Sequence, residues 1–282
     1  KCLQSGDGSF DDLLKCVAQR VEGYYKVWFL DSLSDQWVKV SAEEYEKYGY
    51  IHGIDRQTDF YTKWVKPADS KVYVIISDAM RYGVGVSLAE TLKRDTQCQV
   101  DICSCQAIFP TVTKFGMAAL LPHNNLSVED KSNGSLTVLA DGQTTESGNR
   151  DKILKNVNPN SVAVRYSEII ELRRAERQEI VKGKDIVYIY HDRIDETAHI
   201  SEKNVFSACD EAISEIKNLI RMICNEFGGT HVVITADHGF LYTNSPLTES
   251  DKVDKSSFCG KEAEYARRYA IIQKGITPQY LQ

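Results

Sequence analysis

Three short apolar runs dominate the pattern of hydrophobic and polar positions along the chain. They cover residues 71–77, 185–190 and 231–236. Each run is rich in β-branched residues and shows no alternation, which is typical of strands buried on both faces of a parallel sheet. Apolar residues also recur every three or four positions from Val205 to Ile223, just before Gly228 and Gly229. This spacing predicts a helix that ends at the glycines, and the order strand, helix, strand predicts an α/β fold.

The beginning of the chain has a different pattern. Apolar residues at helical spacing within residues 10–30 predict a helix that packs on one face; they are Leu13, Leu14, Val17, Val21 and Tyr24. All three tryptophans (Trp28, Trp37 and Trp64) lie in the first 65 residues. We therefore expect residues 1–66 to form a helical, aromatic-rich accessory segment, with a join at Pro67 and an α/β core over residues 67–282. The polar, glycine-containing stretch 124–150 is interpreted as an insertion or small cap.

Composition narrows the class of protein. The 282 residues are 42% hydrophobic and 26% charged, which is ordinary for a globular protein, and no apolar run is long enough for a membrane span. The formal net charge of −6 argues against a polybasic nucleic-acid binder but not against an enzyme for phosphate esters, because a bound metal can supply positive charge locally. The chain begins at Lys1 rather than Met, so we expect a fragment of a longer protein.

The eight cysteines are too sparse for a disulfide scaffold, and no CxxC pair indicates a zinc ribbon. We expect Cys98, Cys103 and Cys105 to be buried small apolar residues of a cytosolic protein.

Ionisable residues follow each of the three predicted strands. The candidates are Asp78 and Arg81 after the first, Asp195 and His199 after the second, and Asp237 and His238 after the third. Ligands of open α/β sheets bind beyond the carboxyl ends of the strands, so these side chains are expected to converge. Carboxylates and imidazoles are the ligands that Zn²⁺ or Mn²⁺ would take.

Simpler interpretations exist for each residue alone. Asp78 fits a helix N-cap or turn residue, Asp237-His238-Gly239 fits a turn, and His191 with Asp192 fits a solvated pair. Three such elements after three buried strands favour a joint metal site.

A further segment, Phe109-Pro110-Thr111-Val112-Thr113-Lys114, predicts a turn entering a short helix, because Pro110 interrupts what precedes it. Thr111 or Thr113 would then lie at or near the helix N-terminus, where free N–H groups attract anions. A hydroxyl there beside a metal is a candidate nucleophile for phosphorus. The alternative is that Thr113 is only an N-cap.

These motifs, taken in chain order, resemble those of the alkaline phosphatase superfamily. Within it, Asp78-Ala79-Met80-Arg81-Tyr82, Phe109-Pro110-Thr111-Val112-Thr113 and Tyr190-His191-Asp192-Arg193-Ile194-Asp195 are similar to the PglZ domain, most of all to the form in BREX bacteriophage-resistance systems. The resemblance covers residues 71–245 well. It implies a mostly parallel sheet flanked by helices on both faces.

The resemblance also implies roles for individual residues. Asp78, Thr113, Asp237 and His238 would surround one metal ion, while Asp195 and His199 would bind a second. Thr113 would be the nucleophile with Thr111 as the alternative, and Asp192 is the alternative to Asp195. The superfamily adds a later His to the second metal, but this sequence has no His after His238, so that ligand set is incomplete.

The expected function is metal-dependent hydrolysis of a phosphoester, with a phosphodiester such as a nucleotide or oligonucleotide as the substrate. One or two divalent ions, Zn²⁺ first and Mn²⁺ or Mg²⁺ as alternatives, would serve as cofactor, and Arg81 and Lys114 would hold phosphate oxygens. The expected partners are other proteins of a cytoplasmic defence complex, with no membrane involved. The alternatives are a regulatory or scaffolding module with a vestigial metal site, or a small-molecule phosphomutase or phosphatase.

Overall fold

The computed structural model describes residues 11–131, 135–200, 204–240, 242, 262–266 and 269–272. The chain divides into two compact units, one containing residues 11–54 and the other containing the described residues from Asp55 onwards. Within the described ranges, no helix combines the length and the apolar character needed to cross a bilayer.

The first unit is helical. Helix α1 (Asp11–Gly23) is followed by a π-helical stretch (Tyr24–Asp31) and by helix α2 (Ser32–Tyr48). Helix α2 ends because Gly49 adopts a left-handed conformation (φ 77°) that glycine tolerates without steric cost. Several large apolar side chains of this unit are exposed, including Trp28 at 68% and Trp37 at 47% of their surface.

The second unit is built on a parallel sheet of four strands in the order β5-β6-β1-β7. These strands are β1 (Val72–Ser77), β5 (Ser161–Arg165), β6 (Ile186–His191) and β7 (His231–Thr235). The helices of the unit are α3 (Tyr82–Asp95), α4 (Thr113–Ala119), α5 (Arg150–Val157), α6 (Tyr166–Glu171), α7 (Arg174–Val181), α8 (Arg193–Ile200) and α9 (Val205–Phe227). Shorter turns of helix are the 3₁₀ segments Gln57–Asp59 and Ser147–Asn149 and the π segment Tyr61–Val65.

Strand β1 shows why the sequence has no alternation here. Tyr73 and Ile75 pack into a core with α3 and α9, while Val74 and Ile76 pack into a second core with α4 and α5. Helices therefore cover both faces of the sheet, and a strand with two buried faces needs apolar residues at every position. The predicted α/β class with flanking helices is confirmed, as are the three predicted strands.

Two small antiparallel sheets complete the described elements. Strands β2 (Leu126–Asp130), β3 (Leu136–Ala140) and β4 (Gln143–Thr144) form one of them, within the stretch interpreted as an insertion or cap. Strands β8 (Glu262–Tyr265) and β9 (Ala270–Ile272) form the other.

The structure differs from the sequence-based interpretation at three points. The short strand β5 was not predicted. The expectation of buried cysteines is wrong, since Cys98, Cys103 and Cys105 are all exposed, because the segment that follows α3 forms no helix or strand and runs along the surface. His191 is not part of a solvated pair with Asp192, because its side chain is fully buried.

Candidate metal centre

The site forms where the carboxyl ends of β1 and β7 meet the beginnings of α4 and α8. Asp78 follows β1 directly, and the next residue, Ala79, has a positive φ of 62°. A non-glycine residue in this conformation is strained, which is common where a turn must present a functional side chain. The backbone N–H of Ala79 donates to Asp237 Oδ1 at 3.1 Å, so one turn fixes both carboxylates.

Asp78, Asp195 and His238 each place a potential ligand atom within 4.8 Å of the others. His238 Nε2 lies 3.6 Å from Asp78 Oδ1 and 3.4 Å from Asp237 Oδ2. Asp195 reaches the cluster from the first turn of α8. The cluster therefore unites residues from three separate motifs that the sequence analysis singled out.

Thr113 is the first residue of α4 and is adjacent to this cluster. Its Oγ1 lies 3.0 Å from His238 Nε2, and Val112, not Thr113, is the N-cap residue of the helix. His238 Nδ1 lies 3.0 Å from the carbonyl oxygen of Gly239, which assigns the ring proton to Nδ1. The lone pair of Nε2 is then directed toward the Thr113 hydroxyl and the carboxylates.

The electrostatics of the cluster favour a cation. Burial is the main cause that raises the pKa of Asp78 to about 8, and the charges of Asp237 and Asp195 add to it. Burial also raises the pKa of Asp237, against the effects of His238 and the Ala79 N–H. Buried carboxylates this close together repel one another unless positive charge compensates them.

Two buried oxygens test whether a metal fits. Asp78 Oδ1 and Asp237 Oδ2 accept no hydrogen bond from an N–H or hydroxyl of the described residues. Buried carboxylate oxygens normally have partners, and a metal ion would satisfy these two. Together with one imidazole, this is a donor set that Zn²⁺ or Mn²⁺ accepts. The residues present therefore fit a divalent cation.

Other predicted site residues lie in different surroundings. Thr111 is exposed. His199 pairs with Asp195 at 3.1 Å, but 78% of its side chain is exposed and it is not part of the cluster. Arg81 begins α3, and its guanidinium lies over the ring of Phe240 at 5.1 Å.

Lys114, the other residue expected to hold phosphate oxygens, has partners within the protein. Its ammonium forms an ion pair with the largely buried Glu264 and also donates to the carbonyl oxygen of Leu136. Glu264 in turn accepts the backbone N–H of Leu136 at 2.6 Å. We therefore assign Lys114 to the packing of β3 and β8 and propose no catalytic role for it.

Sequence reasoning missed a glutamine that holds the site together. Gln57 is 3% exposed, and its Nε2 donates to the carbonyl oxygens of Ala236 at 3.0 Å and Asp237 at 2.6 Å. Its Oε1 accepts the N–H of Ile108 at 3.1 Å. This side chain joins the end of β7 to the segment that leads into α4. A lone glutamine in a polar stretch carries no sequence signal for such a role.

Arg150 was missed as well. It begins α5, and its guanidinium lies 4.8 Å from the ring centroid of Tyr190. Its charge favours the ionised form of Asp78 and so acts to lower the pKa of that carboxyl, against the larger effect of burial. Arg150 is therefore a cation within electrostatic reach of the cluster.

A partly buried network of hydrogen bonds supports the start of α8. His191 Nε2 donates to Glu215 at 2.9 Å, and its Nδ1 lies 3.2 Å from the hydroxyl of Ser77. Arg193 donates to the same glutamate at 2.6 Å. Burial opposes the ionised form of Glu215, but the hydrogen bonds from His191 and Arg193 lower its pKa to about 2. The network ties α9 to the start of α8, which carries Asp195.

The four-stranded parallel sheet, covered on both faces and carrying aspartates and a histidine at its carboxyl edge, defines an alkaline-phosphatase-like α/β domain. Comparison with known proteins agrees: a sequence model of the BREX system PglZ alkaline phosphatase-like domain matches residues 60–279. The chain belongs to this PglZ family.

Two curated relatives support the assignment. The alkaline phosphatase-like protein BrxZ of Escherichia coli O9:H4 (strain HS) is 36% identical over 249 residues, which are 85% of this chain and 28% of that protein. The alkaline phosphatase-like protein PglZ of Bacillus cereus (strain H3081.97) is 31% identical over 265 residues, 92% of this chain and 30% of that protein. The chain thus spans less than a third of the length of either relative.

Proposed function

We propose that this domain carries the catalytic centre of a metal-dependent phosphoester hydrolase of a BREX phage-defence system, with Thr113 as the nucleophile. The observation that supports it most is the contact of Thr113 Oγ1 with His238 Nε2, at 3.0 Å, beside a buried cluster of carboxylates. A hydroxyl next to a cation site can act as a nucleophile, because the cation favours its ionised form.

Asp78, Asp195 and His238 would hold the divalent ion, and Asp237 is the candidate for a fourth ligand. When bound, the ion supplies positive charge that stabilises negative charge on the phosphoryl oxygens and favours the ionised form of a neighbouring hydroxyl. Glu215, His191 and Arg193 hold the start of α8 in place, and Gln57 holds Asp237.

The chain's own residues then perform two displacements. Thr113 Oγ1 loses its proton to solvent, because His238 Nε2 would be occupied by the ion, and attacks phosphorus, so that an Oγ1–P bond forms while the bond to the leaving alcohol breaks and that alcohol takes up a proton from solvent. Water attacks the phosphothreonine, which still carries the second ester group, in the second step; this releases a phosphate monoester and regenerates the hydroxyl. Arg81 and Arg150 are the candidates for holding non-bridging oxygens, since both are cations near this edge of the sheet.

The substrate we propose is a phosphodiester, such as a nucleotide or oligonucleotide, and other proteins of the BREX system are the proposed partners. The names of the relatives and of the matching family support the assignment to BREX defence.

Hydrolysis of bis-p-nitrophenyl phosphate with Zn²⁺ or Mn²⁺ tests the proposal. Thr113→Ala should reduce turnover by about 10³-fold or more, because the covalent step is lost. The exposed Thr111 supplies a matched control, and Thr111→Ala should stay within about twofold of the wild type. If Thr113→Ala hydrolyses the ester as fast as the unaltered protein, the assigned nucleophile is wrong.

A regulatory or scaffolding module with a vestigial metal site is the second candidate. The exposed tryptophans and other apolar side chains of residues 11–54 favour it, since exposed apolar surface often marks an interaction site. A measurement of metal binding distinguishes the hydrolase from the regulatory or scaffolding module. A functional centre should raise stability by about 2.7 kcal/mol at an ion concentration 100 times the Kd. A vestigial one should give no change in melting temperature and no bound metal by mass spectrometry.

A further inference from the structure

Four cysteines line a cavity beside the metal centre. The cavity has a volume of about 540 Å³, and Cys98, Cys103, Cys105 and Cys224 contribute to its wall. The same cavity reaches His238 at its other end. All four cysteines are free and exposed, so small reagents in solution have access to them.

Two of these cysteines, Cys98 and Cys224, follow a contact between the end of α3 and helix α9. Helix α3 ends at Asp95, whose Oδ2 accepts a hydrogen bond from Lys217 Nζ of α9 at 3.0 Å. Cys224 lies seven residues after Lys217, which is two turns along the same face of the helix, or roughly 10 Å. Cys98 lies three residues after Asp95, and three residues of extended chain also span roughly 10 Å. Both cysteines therefore lie at about the same distance along the chain from this contact, and both line the same cavity.

The contact between the two side chains agrees with this geometry. The thiols of Cys98 and Cys224 lie within hydrogen-bond reach of each other. Thiols this close need little backbone movement to form a disulfide, whereas two cysteines whose Cβ vectors diverge cannot do so.

We propose that Cys98 and Cys224 form an oxidisable dithiol, a site of reversible thiol–disulfide modification by a small-molecule disulfide of the glutathione type. Cys98 lies in the irregular segment that follows α3, and Cys224 lies near the end of α9. The modification would link these two elements covalently in the wall of the cavity.

The exchange is balanced without a further reactant. One protein thiolate attacks the reagent disulfide, which forms a mixed disulfide and releases one reagent thiol. The second protein thiol, after losing its proton to solvent, attacks the mixed disulfide and releases the second reagent thiol. Burial raises the pKa of Cys224, which disfavours its thiolate and assigns it to the second step. Two protein thiols are oxidised and one reagent disulfide is reduced.

The modified segment leads directly to a residue that positions the metal centre. Cys105 precedes Gln106, whose carbonyl oxygen accepts the backbone N–H of Gln57 at 3.0 Å. The side chain of Gln57 in turn donates to the carbonyl oxygen of Asp237. A covalent restraint on this segment therefore acts on a chain of contacts that ends at the cluster.

Treatment of the folded chain with oxidised glutathione, followed by alkylation and peptide mass spectrometry, tests the proposal. We expect one linked peptide pair containing Cys98 and Cys224, with a mass lower by about 2 Da than the two free peptides. Cys98 should lose alkylation in the first step and Cys224 in the second, and a reducing agent should restore both.

Cys98→Ser and Cys224→Ser should each abolish the linked pair and leave a glutathione adduct on the remaining partner. Cys16→Ser, which removes an exposed cysteine of α1, should leave the pair unchanged. The proposal is overturned if Cys98 and Cys224 stay fully alkylated while Cys16 becomes glutathionylated. It is equally overturned if Cys98 pairs with Cys103 or Cys105 instead.

Discussion

Gly116 of α4 packs so closely against Asp237 that the methyl group of an alanine at this position would clash with it. A Cβ at this position would lie 2.7 Å from the carbonyl carbon and 2.9 Å from the Cβ of Asp237. Most of these contacts are to backbone, which cannot rotate away. Either α4 or the loop after β7 must therefore move by about 1 Å to reach normal van der Waals separation.

Both the stability and the turnover of the Gly116→Ala variant should fall. Overpacking of this kind costs about 1–3 kcal/mol, while alanine regains about 1 kcal/mol of helix propensity relative to glycine, so we expect a net loss of up to about 2 kcal/mol. Thr113 lies one turn before Gly116, and its 3.0 Å contact with His238 spans the same interface. A displacement of about 1 Å at a reacting group lowers turnover by about 100-fold.

Urea unfolding and ester hydrolysis of Gly116→Ala should be measured beside Gly85→Ala. Gly85 lies in α3, and a Cβ there meets no atom within 4 Å, so this control should be as stable as the wild type or slightly more stable. If Gly116→Ala matches the control in both stability and turnover, α4 does not position Thr113 against His238 as described.

Three further substitutions probe the surroundings of the site. Gln57→Leu leaves two carbonyl oxygens and the N–H of Ile108 without their partner and should cost about 2 kcal/mol or more in urea unfolding, whereas the exposed Gln99→Leu should change stability by less than about 0.5 kcal/mol. Lys114→Met leaves the carboxylate of Glu264 without its cation, so stability should fall by about 1–3 kcal/mol while turnover per folded molecule stays within about threefold. Glu215 has a pKa lowered to about 2, so the stability it confers is fully present above its unfolded pKa of about 4.3 and is lost as the pH falls toward 2. The difference in unfolding free energy between the wild type and Glu215→Gln should therefore shrink across that range. A difference that stays constant from pH 6 to pH 3 would show that the network does not hold the carboxylate ionised.

The sequence predicted the features that depend on local pattern. Strands β1, β6 and β7 are apolar at every position because both faces of the sheet are buried, and helix α9 ends where Gly228 adopts a left-handed conformation. The positions of Asp78 and Asp237 follow from the same pattern, since parallel strands end at one edge of the sheet.

Other features depend on contacts between distant residues and left no local signal. Strand β5 is short, and its residues are mostly half-buried at the edge of the sheet. Gln57 acts through hydrogen bonds to residues about 180 positions away. Lys114 follows the candidate nucleophile in sequence, but its partner Glu264 lies 150 positions later. The surface position of the cysteines after α3 could not be predicted, because cysteine is compatible with both buried and exposed positions.

Anomalous diffraction from crystals grown with Zn²⁺ or Mn²⁺ tests the central claim most directly. We predict a peak about 2.0–2.2 Å from a carboxylate oxygen of Asp78, a carboxylate oxygen of Asp195 and a ring nitrogen of His238, and loss of that peak in Asp78→Asn. A peak that is held by other residues, or no peak at saturating metal concentrations, would contradict the assignment of these three residues to one metal centre.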